Sequence, residues 1–192
     1  RRVLEDNFIK MNYKAIFFYL GLFIFPLSGL AFLNILYSTY FDYFLSIDSY
    51  TVTFFLALVT GSFFCYYGKN SIKKINFYEQ LLLIFLVYLM SSIFIALPYY
   101  LSNYQITFFD SVFESFSGIT STGFSIFENI KYLDPTLILW RSSSQWIGGL
   151  YFLIFLIIIF SNNQYNFRLN QLVFTGNMGS FSKSNTKNIL LQ

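Results

Sequence analysis

Four long apolar stretches separated by short polar segments organise this chain. Residues 15–36 and 80–101 each run for 22 residues without a charge, and residues 49–67 run for 19. Residues 136–160 run for 25 with one charge, Arg141. A hydrocarbon core of ~30 Å needs ~20 apolar residues in a helix, so each stretch is long enough to cross. The pattern predicts an all-α integral membrane protein with four transmembrane helices. One polar break differs from an ordinary loop. Residues 110–125, DSVFESFSGITSTGFS, lie between the third and fourth stretches. Phe108, Val112, Phe113 and Phe116 recur there at helical spacing. Thr107 is a candidate N-cap, with Asp110 three residues on as its capping acid. This predicts a helix over about 107–118, too short to span, followed by a Thr/Ser/Gly-rich segment over 119–125. A bilayer tolerates non-helical backbone only where it is buried in protein or lines a water-filled path. A re-entrant pore helix and filter loop are therefore expected here, and with them an ion pathway.

The elements divide the chain into a cytoplasmic N-terminus (1–14), a two-helix transmembrane pair (15–67), a helix–pore-loop–helix repeat (79–160) and a cytoplasmic connector with some interfacial helix (161–192). Charge sets the orientation. Arg1, Arg2, Lys10 and Lys14 precede the first span, Lys69, Lys73 and Lys74 join the second to the third, and Arg168, Lys183 and Lys187 follow the fourth. Ten of the twelve Lys and Arg residues thus fall on one side of a four-span arrangement. The positive-inside rule makes that side cytoplasmic, with both termini inside and the 110–125 segment outside. The outer segments carry Asp42, Asp48, Asp110, Glu114, Glu128 and Asp134 against Lys131. Fixed carboxylates at a pore mouth raise the local cation concentration.

Composition agrees with a membrane chain. Of 192 residues, 56% are hydrophobic and 11% charged, with a mean hydropathy of +0.56, whereas a soluble domain carries roughly 25% charged residues. The absence of histidine removes the commonest general base and metal ligand. A single cysteine, Cys65, rules out an intrachain disulfide and reads as a small packing residue. With no metal-ligand cluster and no activated nucleophile, a non-enzyme is expected, without a cofactor and without a nucleic-acid partner. The first span is too long for the h-region of a cleavable signal peptide. The chain does not begin with Met, Met11 would make a more natural start, and residues 188–191 read as the opening of another apolar segment. A piece of a longer protein is expected.

Within the spans, Pro26 and Gly29 predict a kink in the first. Gly61, Ser62 and Cys65 predict close approach of another helix to the second. Pro98 marks the outer end of the third, and Tyr99, Tyr100 and Tyr104 suit an interfacial aromatic belt. Pro135 suits the start of the fourth. Arg141 lies less than two turns inside that span, where an ionisable residue normally finds a partner; the candidates are Glu114 and Asp110, and the alternative is snorkelling to the interface without a specific partner. Gly148-Gly149 near mid-span predicts a bend or a close-packing point. In the loop, Thr120, Ser121, Thr122 and Gly123 are the candidate ion ligands. An extended stretch of this kind can turn successive carbonyls and hydroxyls in one direction, replacing the hydration shell of a monovalent cation. Gly123 gives access to dihedrals closed to other residues. A short helix whose C-terminus points into the membrane aims the negative end of its dipole there, which favours a cation.

Two motifs at this separation resemble the Trk/Ktr/HKT superfamily of potassium transporters, nearest to the TrkH-type membrane subunit of bacterial Trk systems. They are F-D-S-V-F-E-S-F-S-G from Phe109, followed by Thr120-Ser121-Thr122-Gly123, and Trp140-Arg141-Ser142 with Gln145-Trp146-Ile147-Gly148-Gly149. The strong match covers about residues 107–149. The resemblance implies four consecutive helix–pore-loop–helix repeats around one pore, preceded by two helices. The first two spans here then match the extra pair, and the last two match the first pore repeat. It implies potassium uptake across a bacterial inner (cytoplasmic) membrane, labelled symport in the family, with Thr120, Ser121, Thr122 and Gly123 contributing filter oxygens. Potassium would be the transported ion and Gly123 would favour it, since a serine at that position accompanies sodium transport. Asp110, Glu114 and Arg141 would support the pore. The partners implied are further pore repeats in the same longer chain, a homodimer mate, the lipid bilayer and a cytoplasmic nucleotide-binding regulatory subunit. The alternatives are a subunit of a homotetrameric pore-loop cation channel, which the missing T-V-G-Y-G filter disfavours, and a sodium-conducting relative.

Overall fold

The computed structural model describes residues 11–43, 47–70, 75–130 and 133–161. Residues 1–10, Lys73, Lys74 and Lys131 lie outside the described residues, as does the 161–192 connector from residue 162 on, with Arg168, Lys183 and Lys187. Among the described residues the chain is all helix: α1 (Tyr13–Tyr40), α2 (Ile47–Gly68), α3 (Phe77–Tyr100), α4 (Phe108–Ile119) and α5 (Pro135–Ser161). Four of these are long and apolar enough to cross a bilayer: α1, α2, α3 and α5.

Helices α1 and α2 form the tightest pair, and small residues allow it. A Cβ added at Gly21 would meet the Gly61 carbonyl at 2.7 Å and Cys65 Sγ at 2.8 Å. Helices in lipid associate by close backbone approach at such residues. Cys65 is a packing residue at this seam, as its surroundings in the sequence suggest. Pro26 lies inside α1, which continues through it as one helix. Pro98 likewise lies inside α3, which runs two residues past it rather than stopping there.

The other helices are joined by polar groups. The Trp140 indole N–H donates to the Ile95 carbonyl at 3.0 Å, tying α5 to α3. The Tyr151 hydroxyl donates to the Phe23 carbonyl of α1, and the Tyr50 hydroxyl of α2 meets Thr136 Oγ1 at 3.3 Å. The start of α5 is capped by Asp134, whose Oδ1 accepts from the Thr136 N–H at 3.0 Å, with Pro135 at the first helical position. Apolar side chains such as Phe55, Val59 and Phe63 on α2 and Phe85 on α3 are exposed, as expected of surfaces that face lipid.

Candidate functional site

The site is built on α4, the loop after it and the first half of α5. Thr107 caps α4: its Oγ1 accepts from the Asp110 N–H at 3.2 Å and donates to Asp110 Oδ2 at 2.7 Å. The helix begins and ends one residue later than the sequence predicts, at Phe108 and Ile119 rather than 107 and 118. It is amphipathic in the reverse of the soluble sense. Ser111, Glu114, Ser115, Ser117 and Gly118 face inward onto the neighbouring helices, while Phe108, Phe109 and Phe113 are exposed.

The C-terminus of α4 sits on two small residues of α5, one turn apart. A Cβ at Gly118 would meet Ser144 Oγ at 2.5 Å, and a Cβ at Gly148 would fall on the Ile119 carbonyl. Gly148 is therefore a close-packing point, whereas Gly149 has open space beside it. Past Ile119 the chain turns sharply. The Ser121 N–H donates to the Gly118 carbonyl at 2.9 Å and the Thr122 N–H to the Ser117 carbonyl at 3.1 Å, with Ser121 at φ +56°. This pairing of bonds around a left-handed residue is a Schellman turn.

The turn corrects the expectation of a uniformly extended segment over 119–125. Ile119 is helical and Ser121 is left-handed. The hydroxyls do not form a row either. Thr120 Oγ1 donates to the Phe116 carbonyl at 2.6 Å and Ser121 Oγ to the Gln145 carbonyl at 3.1 Å, while Thr122 Oγ1 reaches Ser117 Oγ at 3.2 Å. All three pin the turn. Gly123 has φ +82°, a region that side chains rarely adopt, with open space where a Cβ would stand. The glycine is required there by backbone conformation, not by room.

Behind the loop lies the one ion pair among the described residues. Arg141 Nε donates to Glu114 Oε1 at 2.5 Å; Glu114 is 0% exposed and Arg141 8%. Of the two candidate partners for Arg141, Glu114 is the one that meets it, and Asp110 stays with Thr107. The second arm of the guanidinium, Nη2, donates to the carbonyls of Gly123 at 3.2 Å and Phe124 at 3.0 Å. The Phe124 carbonyl also accepts from Ser117 Oγ at 2.5 Å. Glu114 accepts further from Ser125 Oγ at 3.1 and 3.2 Å and from the Ile126 N–H at 3.0 Å. One buried cation and one buried anion thereby hold residues 123–126 from behind. The carbonyls of Gly123 and Phe124 point back at Arg141. Those of Thr120, Ser121 and Thr122 carry no hydrogen bond among the described residues, and Thr120 through Gly123 are exposed.

Several members of this arrangement were not singled out by sequence reasoning. Ser117, Ser125 and Ser144 carry no signal beyond their place between motif residues. Tyr99 is not part of an interfacial belt: it is fully buried, whereas Tyr100 is half exposed. It shares a helical register with Ser92 and Ile95, which are also buried, but only the packing of α3 shows that this face is the inner one.

Four bilayer-length helices, with a short capped helix and a buttressed loop between the last two, mark a multi-pass membrane protein whose described residues form helices and no strand. The Trk resemblance is borne out by comparison with known proteins. The chain is 30% identical over 112 residues to the Trk system potassium uptake protein TrkH of Escherichia coli, covering 58% of this chain and 23% of that protein. It is 30% identical over 116 residues to an uncharacterized cation transporter of Methanocaldococcus jannaschii, covering 58% and 24%. A third relative, the Trk system potassium uptake protein TrkI of Halomonas elongata, is 38% identical over 73 residues, covering 38% of this chain and 15% of that protein. No protein-family model matches the chain. The chain spans about a quarter of the length of the first two of these relatives.

Proposed function

We propose that this chain contributes the first pore repeat of a potassium uptake protein, with residues 119–125 as one quarter of its filter. The observation that carries the reading is the asymmetry of the loop. Arg141 and Glu114 secure its rear, while the carbonyls of Thr120, Ser121 and Thr122 accept no hydrogen bond among the described residues and lie on an exposed segment. Carbonyls fixed in position but left without a donor are what a dehydrated cation needs. In this reading α4 is a re-entrant pore helix whose C-terminus points toward the bilayer midplane, so its dipole favours a cation at the loop. The names of the relatives, Trk system potassium uptake proteins, make potassium the proposed ion.

Three carbonyls on one side of an ion replace only part of its hydration shell. The remaining repeats of a longer protein would supply the rest. The cytoplasmic membrane is the proposed location, with both termini cytoplasmic by the distribution of basic residues. A homodimer and a cytoplasmic nucleotide-binding regulatory subunit are supported by the resemblance alone.

The test is potassium uptake in cells lacking their own potassium transporters. It compares the 192-residue chain, the longest reading frame containing it, and that frame carrying Gly123→Asp. Rescue by the long form and its loss with Gly123→Asp are expected. Rescue that survives Gly123→Asp unchanged would remove the filter assignment. Failure of the long form despite normal membrane expression would remove the potassium reading.

A further inference from the structure

At the opposite end of the molecule from the loop's ion pair, by the four-span topology, α1 begins and α2 ends side by side. Their backbones touch. A Cβ added at Gly68 would fall on the Lys14 carbonyl and lie 2.8 Å from the Phe18 nitrogen. This contact brings Lys14, in the first turn of α1, next to Lys69, the residue after α2. Beside it lies a concavity of about 490 Å³ lined by Lys14, Phe63, Tyr66, Tyr67, Lys69 and Asn70.

The lining is chemically divided. Two lysines and an asparagine amide form a donor end, with no carboxylate among the described residues that line it. Neither lysine has an acidic partner among the described residues. The terminus of α1 is already occupied by the buried Glu79 carboxylate, which accepts from the Asn12 N–H at 2.5 Å, so the positive charge here is that of the two exposed lysines. The other end is aromatic and open to the outside, with Tyr66 81% and Phe63 61% exposed on the outer surface of α2. Two exposed ammonium groups at neighbouring helix ends form a positive site that one anion can bridge. An aromatic wall continuing toward the lipid-facing surface has no use for a small free anion, but it suits a molecule with an apolar tail.

We infer that this groove binds the headgroup of an anionic phospholipid. The phosphate sits between the Lys14 and Lys69 ammonium groups, the glycerol backbone lies against Tyr66, and an acyl chain runs along Phe63. Basic pockets at the ends of membrane helices recognise lipid phosphates by this combination of charge and interfacial position. The inference requires α1 and α2 to span a bilayer and does not depend on the ion that the protein transports.

Native mass spectrometry of the 192-residue chain in detergent, titrated with phosphatidylglycerol or phosphatidylcholine, tests it. Phosphatidylglycerol should be retained preferentially. Each of Lys14→Gln and Lys69→Gln should weaken it about fivefold, and the pair ~25-fold, at ~1 kcal/mol per basic residue near the surface. Both lysines are exposed, so the variants should keep their helical circular dichroism. The tail variant Lys183→Gln/Lys187→Gln should retain the lipid as the parent does. Equal retention of the two lipids would overturn the inference. So would an equal loss in the tail variant, or displacement of the lipid by millimolar inorganic phosphate alone.

Discussion

Removing Glu114 and Arg141 together should cost no more than removing either one alone. Glu114 is fully buried and accepts from Arg141 Nε, Ser125 Oγ and the Ile126 N–H. Glu114→Ala strips Arg141 of its counter-charge in a site with almost no water access. Breaking a buried ion pair from one side costs ~3–5 kcal/mol, because the remaining charge is left uncompensated. Arg141→Met should cost a similar amount and also frees the carbonyls of Gly123 and Phe124. The double variant buries no unpaired charge, so it should cost about as much as either single change rather than twice as much. The coupling energy is then ~3 kcal/mol, within the upper range for residues in direct contact. Denaturant titration in micelles measures it, with Trp140 as a reporter, since that buried indole neighbours Arg141 and bonds to Ile95. Single-variant costs that add to within ~0.5 kcal/mol, as independent sites do, would refute the argument. Arg141→Lys should recover little, because an ammonium cannot reproduce the fork that reaches a carboxylate and two carbonyls together.

Other consequences are equally direct. Gly148→Ala drives a methyl group into the Ile119 carbonyl and should lower thermal stability, whereas Gly149→Ala meets open space and should leave it unchanged; a melting comparison in detergent separates them. Gly123→Ala should cost about 1–2 kcal/mol through its left-handed backbone and nothing through crowding, so Gly123→Asn, which tolerates that region better, should cost less in the same denaturant titration. Tyr151→Phe removes the hydroxyl bond from α5 to the Phe23 carbonyl, and a loss of about 0.6 kcal/mol is expected by the same method, typical of one interhelical bond in a membrane protein.

The spans were legible because apolar length is a direct requirement of the bilayer. The capped start of α4 was legible because Thr107 and Asp110 stand at the spacing a cap needs. The Arg141 partner was legible as one of two carboxylates or none, since a charge near the end of a span either pairs or snorkels, and only the helix geometry could choose among them. Glu114 lies on the inward face of α4 with Ser111 and Ser115, whereas Asp110 is engaged at the cap. The conformation of the loop was not legible. Residue types that favour an extended chain also serve a Schellman turn, and bonds to Phe116, Ser117 and Gln145 decided for the turn. Tyr99 was misread because three neighbouring tyrosines near a span end resemble a belt, and burial depends on which face of α3 meets α4 and α5.

Four positions on α5 hold the end of α4 and its loop: Arg141 at the Gly123 and Phe124 carbonyls, Ser144 under Gly118, the Gln145 carbonyl at Ser121, and Gly148 under Ile119. They lie within two turns of one helix, about 10 Å along its axis at 1.5 Å per residue. That stretch works as a ruler with both ends marked. A single residue inserted between Arg141 and Gly148 would rotate one end by about 100° against the other. Substitutions there can be absorbed one at a time, but a change of length cannot. The segment 141–148 should therefore tolerate no insertion or deletion, even while the segments joining α1 to α2 and α2 to α3 vary in length.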